Sequence, residues 1–192
     1  MRIGTIAAAL LLVLLAACSR QGGGAYHATE VSGALPALDF AMTRANDGRA
    51  VTAADYRGKA VVLYFGYTHC PDVCPTTLAN LAEALGKLGA QANDVRVLFV
   101  TVDPNRDDIT TMKGYVQSFA PQLDGLRGTA DRLTALTRRY RVAFSVTPGP
   151  PYEVMHSNAV FVFDKAGRAR LVSTDVSKPD DVAADLKKVL TL

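Results

Sequence analysis

The chain has 192 residues, among them 21 Lys and Arg and 18 Asp and Glu, which gives a formal net charge of +3 at pH 7. This near balance, with no basic cluster interleaved with aromatic residues, argues against a nucleic-acid partner. The length suits one domain with a sizeable core.

The N-terminal residues have the pattern of an export signal. Residues 3–15 are almost wholly apolar, which is shorter than the roughly 20 residues of a membrane span but typical of a signal-peptide core. The run ends at Leu15-Ala16-Ala17-Cys18, which resembles the lipobox of bacterial lipoproteins. We therefore predict a signal peptide over residues 1–17 and lipidation of Cys18. An uncleaved anchor, or an ordinary secretory cut that leaves a free thiol, is the alternative. Residues 18–34 would then be the lipidated Cys and a flexible tether that anchors the chain to a membrane surface without spanning it.

Residues 35–192 are predicted to form one α/β domain. Continuous β-favouring runs predict strands buried on both faces, and leucines at helical spacing predict an amphipathic helix. The predicted elements are a β-hairpin over 38–52, a strand over 60–66, a helix over 76–88, a strand over 95–102, a helix over 109–119, a short strand or loop over 126–129, a helix over 131–140, a stiff Pro-rich loop over 147–151, two strands over 159–163 and 170–173, and a helix over 179–190. This order predicts a thioredoxin-like fold with an N-terminal β-hairpin and an extra helix.

Two cysteines remain once Cys18 is set aside, and both lie between the first buried strand and its helix. Cys70 and Cys74 are spaced Cys-x3-Cys. Closing so small a loop stabilises little, so a redox disulfide or a soft-metal site is favoured over a structural bridge. On a helix, residues four apart have Cβ atoms roughly 5–6 Å apart, against roughly 3.5–4.5 Å in a disulfide. The spacing is therefore well suited to chelation, yet the loop can also close on oxidation. Pro75 is predicted to open the helix, with Cys74 as its N-cap, which would favour the Cys74 thiolate.

His156 is the third candidate ligand, because in this architecture the loop before the third core strand lies beside the thiols. Two thiolates and one imidazole suit Cu(I), whereas Zn(II) usually takes a fourth donor. The alternative is a core histidine satisfied by hydrogen bonds. Met155 is expected to pack in the core. Asp72 and Asp103 are candidates for carboxylates that hydrogen-bond to a metal ligand and orient it. The alternative for Asp72 is a solvated loop residue, and the alternative for Asp103 is a simple turn with an Asp–Arg pair.

Three ordered motifs resemble those of the Sco/SenC family. They are Tyr64-Phe65-Gly66-Tyr67-Thr68-His69-Cys70-Pro71-Asp72-Val73-Cys74-Pro75, then Thr101-Val102-Asp103-Pro104 with Arg106-Asp107, then Met155-His156-Ser157. The resemblance implies a thioredoxin-like fold that binds copper through Cys70, Cys74 and His156. It also implies delivery of copper to the binuclear copper centre of cytochrome c oxidase, or reduction of the cysteines of that centre. Many members carry a transmembrane helix, whereas this chain has a lipobox.

The sequence thus predicts a copper metallochaperone of the bacterial cell envelope, anchored by lipid and facing the periplasm, with no catalytic residue assigned. The expected partners are the copper-site subunit of cytochrome c oxidase and other periplasmic copper or thiol carriers. A thiol-disulfide reductase using Cys70 and Cys74, or a copper or redox sensor, is the alternative. His156 separates the first two, because a dithiol reductase does not need it.

Overall fold

The computed structural model describes residues 26–192, and the predicted signal peptide and Cys18 lie outside that range. Within it, no helix is both long and apolar enough to cross a bilayer. Ten strands and four α-helices follow one another along the described chain. They are β1 Thr29–Glu30, β2 Ala41–Arg44, β3 Ala50–Thr52, β4 Ala60–Gly66, α1 Val73–Leu88, β5 Val95–Thr101, α2 Ile109–Gln117, β6 Leu123–Arg127, α3 Ala130–Arg139, β7 Phe144–Thr147, β8 Glu153–His156, β9 Val160–Phe163, β10 Ala169–Ser173 and α4 Pro179–Val189.

Eight of these strands form one mixed sheet in the order β1-β10-β9-β4-β5-β6-β2-β3. β4 is central, parallel to β5 and antiparallel to β9. All seven of its residues are buried, as its unbroken apolar sequence predicts for a strand covered on both faces. The predicted α/β class, thioredoxin-like with an N-terminal hairpin of β2 and β3, is confirmed.

Side chains alternate across the sheet, so each strand contributes to two apolar layers. Val62 and Tyr64 of β4 face the layer formed by α1, α2 and α4. Val61 and Leu63 face the opposite layer, which contains α3 and a short 3-10 helix over Ala53–Tyr56. The sheet therefore lies between helices, and the loops at the carboxyl end of β4 and β5 emerge together at one edge.

The boundary predicted between tether and domain, at residues 34 and 35, lies too late in the chain. β1 already pairs with β10, Thr29 opposite Val172. Before it, the backbone N–H groups of His27 and Ala28 donate to the carboxylate of Asp185 on α4, at 3.0 and 2.8 Å. These contacts make residues 26–34 part of the fold, although their mixed polar sequence has no strand periodicity.

A second difference is the hairpin of β7 and β8, which pairs Phe144 with His156 and Thr147 with Glu153. The Pro-rich residues that the sequence predicts as a stiff loop form the connection between these two strands. The hairpin is a separate two-stranded sheet, and His156 is its last residue.

Candidate metal centre

The two thiols lie where the central strand β4 gives way to α1. Cys70 is in the connecting loop, and Cys74 is the second residue of α1. Asp72 is the N-cap, so the prediction that Cys74 caps a helix opened by Pro75 is wrong. The helix begins earlier because residues 73 and 74 already adopt helical geometry, with the N–H of Thr76 donating to the Asp72 carbonyl at 3.1 Å.

The surroundings of the two sulfur atoms differ. Burial opposes a charge on Cys70, but the backbone N–H groups of Cys74 and Asp72 donate to its sulfur and lower its pKa. The Cys74 N–H to Cys70 Sγ distance is 3.3 Å. Cys74 is fully buried, and this burial raises its pKa to about 12. The helix entrance therefore favours the thiolate of Cys70 and not that of Cys74, contrary to the sequence-based expectation.

His156 points its ring at the buried thiol. Its Nδ1 lies 2.9 Å from the backbone carbonyl oxygen of Ser157, and a carbonyl can only accept, so Nδ1 carries the proton. Nε2 is left with its lone pair and lies 3.3 Å from Cys74 Sγ. Burial lowers the pKa of His156, against the effect of the Ser157 hydrogen bond, and keeps the ring neutral at pH 7. Neutral imidazole is the form that binds metals.

One ligand atom from each of Cys70, Cys74 and His156 lies within 4.8 Å of the other two. Three donors around one ion, with bonds of about 2.0–2.3 Å, lie roughly 3.5–4 Å apart, so these atoms need little movement to share an ion. Both thiols are unbridged. Two sulfurs and one nitrogen form a soft, low-coordinate donor set that suits Cu(I), and binding would displace the proton of Cys74.

The two carboxylates predicted to support the site have different surroundings. Asp72 is exposed, and its carboxylate accepts from the Thr76 hydroxyl at 3.3 Å, so only its backbone N–H contacts the Cys70 sulfur. Asp103 is fully buried in the loop after β5. It contacts neither sulfur but accepts a hydrogen bond from Tyr152, which precedes the His156 strand.

Asp107 holds the loop that carries Cys70 through buried hydrogen bonds. It is fully buried and accepts from the Thr68 N–H at 3.0 Å and from the hydroxyls of Thr68 and Thr101, both at 2.6 Å. Its Oδ1 also lies 3.4 Å from Nδ1 of His69, which is half exposed. These contacts tie the residues just before Cys70 to the end of the neighbouring strand. The Asp-Pro-x-Arg-Asp spacing is the sequence signal for this role.

One residue of β8, and the residue just before it, differ from what the sequence indicates. Met155 is 69% exposed, so its expected place in the core is wrong; it faces outward because it alternates with the inward-facing His156. Tyr152 was not singled out at all. Its signal is its position four residues before His156, which places both on the same face of an extended strand.

The fold and the site together define a class of protein: a thioredoxin-like domain in which a reduced Cys-x3-Cys pair and a neutral imidazole converge on one soft-metal position. The SCO1/SenC family model matches residues 32–191, and the chain belongs to this family.

Several curated relatives are mitochondrial proteins. The mitochondrial SCO2 homologue of Bos taurus is 43% identical over 125 residues, covering 62% of this chain and 47% of that protein. The mitochondrial SCO2 protein of Saccharomyces cerevisiae is 33% identical over 149 residues, covering 75% and 48%. The chain thus spans about half the length of these relatives.

Solved structures match over more of their length. Copper-bound ScoI of Bradyrhizobium japonicum is 38% identical with a TM-score of 0.73, covering 80% of this chain and 99% of that one. The apo Sco1 protein of Thermus thermophilus is 34% identical with a TM-score of 0.78, covering 88% and 100%.

Proposed function

We propose that the chain is a copper metallochaperone of the bacterial cell envelope that supports maturation of the binuclear copper centre of cytochrome c oxidase. The observation that carries the proposal is the convergence of Cys70, Cys74 and His156, with Nε2 of the imidazole unprotonated. Family membership and the copper-bound relative from Bradyrhizobium japonicum support copper as the cargo.

The three ligands would hold Cu(I) in a position that a partner can reach. Cys70 is partly exposed, whereas Cys74 is buried, so an incoming donor from an acceptor protein meets Cys70 first. Transfer would then proceed by ligand exchange: one bond from copper to this chain breaks as one bond to the acceptor forms. No change in the oxidation state of copper is needed. The proposed acceptor is the copper-site subunit of the oxidase, and other periplasmic copper or thiol carriers are the proposed upstream partners.

A Cu(I) competition titration of the reduced chain tests the binding step. Replacing His156 with Ala should weaken Cu(I) binding by more than about tenfold, because losing a ligand costs at least as much as losing a residue that orients one. The matched control is His27→Ala, since His27 lies near Asp181 on α4, at 3.5 Å, outside the cluster. Equal affinities for wild type and His156→Ala would overturn the site.

A second candidate function is thiol-disulfide reduction, and the asymmetry of the thiols favours it. The thiolate of Cys70 would attack a disulfide of the acceptor, form a mixed disulfide and expel one acceptor thiolate. Cys74, on losing its proton, would then attack the Cys70 sulfur and release the second acceptor thiol. The chain would end with a Cys70–Cys74 disulfide, two electrons having passed to the acceptor.

The two functions differ in what reaches the acceptor. Incubating the copper-loaded chain with a reduced, copper-free fragment of the oxidase subunit should move copper, and His156→Ala should impair this transfer. Incubating the reduced, copper-free chain with the oxidised fragment should yield acceptor thiols only if the reductase function exists. That second reaction should be insensitive to His156→Ala.

We also propose export and a lipid anchor at Cys18, with the domain facing the periplasm. The lipobox-like sequence Leu15-Ala16-Ala17-Cys18 supports this proposal. Cys18→Ser should move the chain from the membrane fraction to the soluble fraction and abolish lipid labelling. Unchanged fractionation and labelling would overturn it.

A further inference from the structure

The hairpin of β7 and β8 carries a ligand but buries little of its own surface. Residues of both strands alternate between exposed and half-buried, and neither strand has a fully buried residue. Only Phe144 and Val154 of these strands pack against the apolar layer beneath them. A two-stranded hairpin on its own is marginally stable, so other contacts must fix its orientation.

Tyr152 supplies such a contact at the opposite end of β8 from His156. Its hydroxyl donates to Oδ1 of the buried Asp103 at 2.8 Å. Its ring lies under the guanidinium of Arg106, whose Cζ is 3.8 Å from the ring centroid. Arg106 in turn donates through Nε to the other carboxylate oxygen of Asp103. Tyr152 is therefore held by a hydrogen bond and a cation–π contact to one loop of the domain.

This set of contacts continues to the ligand. The Arg106 guanidinium also lies 5.7 Å from the centroid of the Tyr67 ring, and the Tyr67 ring meets His156 edge-on, with centroids 5.8 Å apart. Val154 and His156 share the inward face of β8, and Tyr152, the residue just before the strand, continues the same two-residue spacing. The strand is thus held to the domain at both ends, and its far end depends on Tyr152.

We infer that Tyr152, held by Asp103 and Arg106, is a positioning residue that fixes His156 against the two sulfurs and whose release frees that ligand position. We call these three residues the Tyr152 latch. The inference rests on the proposed copper function and extends it. With the latch closed, Nε2 completes the site; with it open, the hairpin carries His156 away while Cys70 and Cys74 stay with α1. The copper–nitrogen bond then breaks, and a donor from the acceptor takes the vacated position.

The test compares Tyr152→Phe with wild type in Cu(I) affinity and in the rate of copper release to a chelator. Residues that orient a ligand typically change affinity by about 10–100-fold, so we expect about tenfold weaker binding, mostly through faster release. The matched control is Tyr56→Phe. Tyr56 also donates to a carboxylate, that of Asp124, at 2.9 Å, and Asp124 lies 3.8 Å from Arg44, so the same chemistry is removed away from the site. Arg106→Lys keeps the charge but loses the flat stacking surface and should give an intermediate release rate.

A second readout needs no copper. In the copper-free chain, the ring resonances of His156 should broaden or shift in Tyr152→Phe but not in Tyr56→Phe, with similar unfolding midpoints for wild type and Tyr152→Phe. Copper release and ring resonances that match wild type would overturn the latch. If His156→Ala binds copper as tightly as wild type, the proposed site fails, while the ring resonances still decide whether Tyr152 positions His156.

Discussion

Gly66, the last residue of β4, leaves the space in which the buried thiol lies. A Cβ atom at this position would lie 2.8 Å from Cys74 Sγ and 2.7 Å from Cε2 of Phe99. Both distances are well below the 3.4 Å at which ordinary van der Waals contact begins. The side chains of Cys74 and Phe99 are both fully buried, so neither can swing into solvent to make room. Gly66→Ala therefore has to move the sulfur, the ring or the strand by about 0.6 Å or more.

Overpacking of this kind typically costs about 1–3 kcal/mol of unfolding free energy. Because the displaced atom is a ligand, Cu(I) affinity should fall as well, by about tenfold or more. Denaturant unfolding of the copper-free chain measures the first effect, and competition titration measures the second. Gly86→Ala is the matched control: Gly86 lies in α1, a Cβ there meets no atom within 4 Å, and Ala should stabilise the helix by up to about 1 kcal/mol.

The reasoning would be refuted if Gly66→Ala unfolded at the wild-type midpoint and bound Cu(I) with wild-type affinity. A loss of stability with unchanged copper affinity would show that Phe99, and not Cys74, moves to make room. That outcome would contradict the claim that the glycine serves the metal site.

Three further predictions concern protons and exposure. Iodoacetamide at neutral pH should modify Cys70 at least about tenfold faster than the buried Cys74, as mass spectrometry can measure, and equal rates would contradict their different surroundings. Burial raises the pKa of Cys74 to about 12, so copper must displace the proton of this thiol in order to bind. The apparent Cu(I) affinity should therefore rise at least about tenfold per pH unit between about pH 6 and 8. An affinity that does not change with pH in competition titrations would argue against thiolate ligation. Burial opposes the charge of Asp164, but the Arg168 N–H and the Arg170 and Arg168 guanidiniums lower its pKa. Asp164→Asn should therefore lower the free energy of unfolding by about 2 kcal/mol at pH values above about 3.9, the ordinary pKa of aspartate. In urea unfolding this difference should shrink as the pH falls through the lower folded-state pKa, and a difference independent of pH would contradict the assignment.

The sequence was informative wherever burial imposes a repeating pattern. The strand predicted at residues 60–66 has these bounds in the structure, because a central strand covered on both faces must be apolar throughout. Leucines at helical spacing likewise predicted α1, and the closing helix was placed to within one residue.

The misses have a physical cause in common. β7 and β8 are four residues each and at most half-buried, so their pattern is too short and too weak to mark strands. The two strands are connected through Pro148 and its neighbours, which argue against regular structure. The raised pKa of Cys74 depends on its burial, and the Tyr152 hydrogen bond to Asp103 joins residues 49 positions apart. Local sequence contains no information on either.

The sequence predicted that Cys70, Cys74 and His156 come together, because the order of elements placed the loop of His156 beside the thiols. The structure brings the ligand atoms together. The identity of the thiol that is more easily ionised was predicted wrongly, because helix geometry was considered without burial.

X-ray absorption at the copper edge, recorded on the reduced chain loaded with one equivalent of Cu(I), tests the central claim most directly. The account predicts two sulfur ligands and one nitrogen ligand, with the nitrogen lost in His156→Ala and both sulfurs retained. A spectrum with sulfur ligands alone, or one unchanged by His156→Ala, would contradict a site built from Cys70, Cys74 and His156.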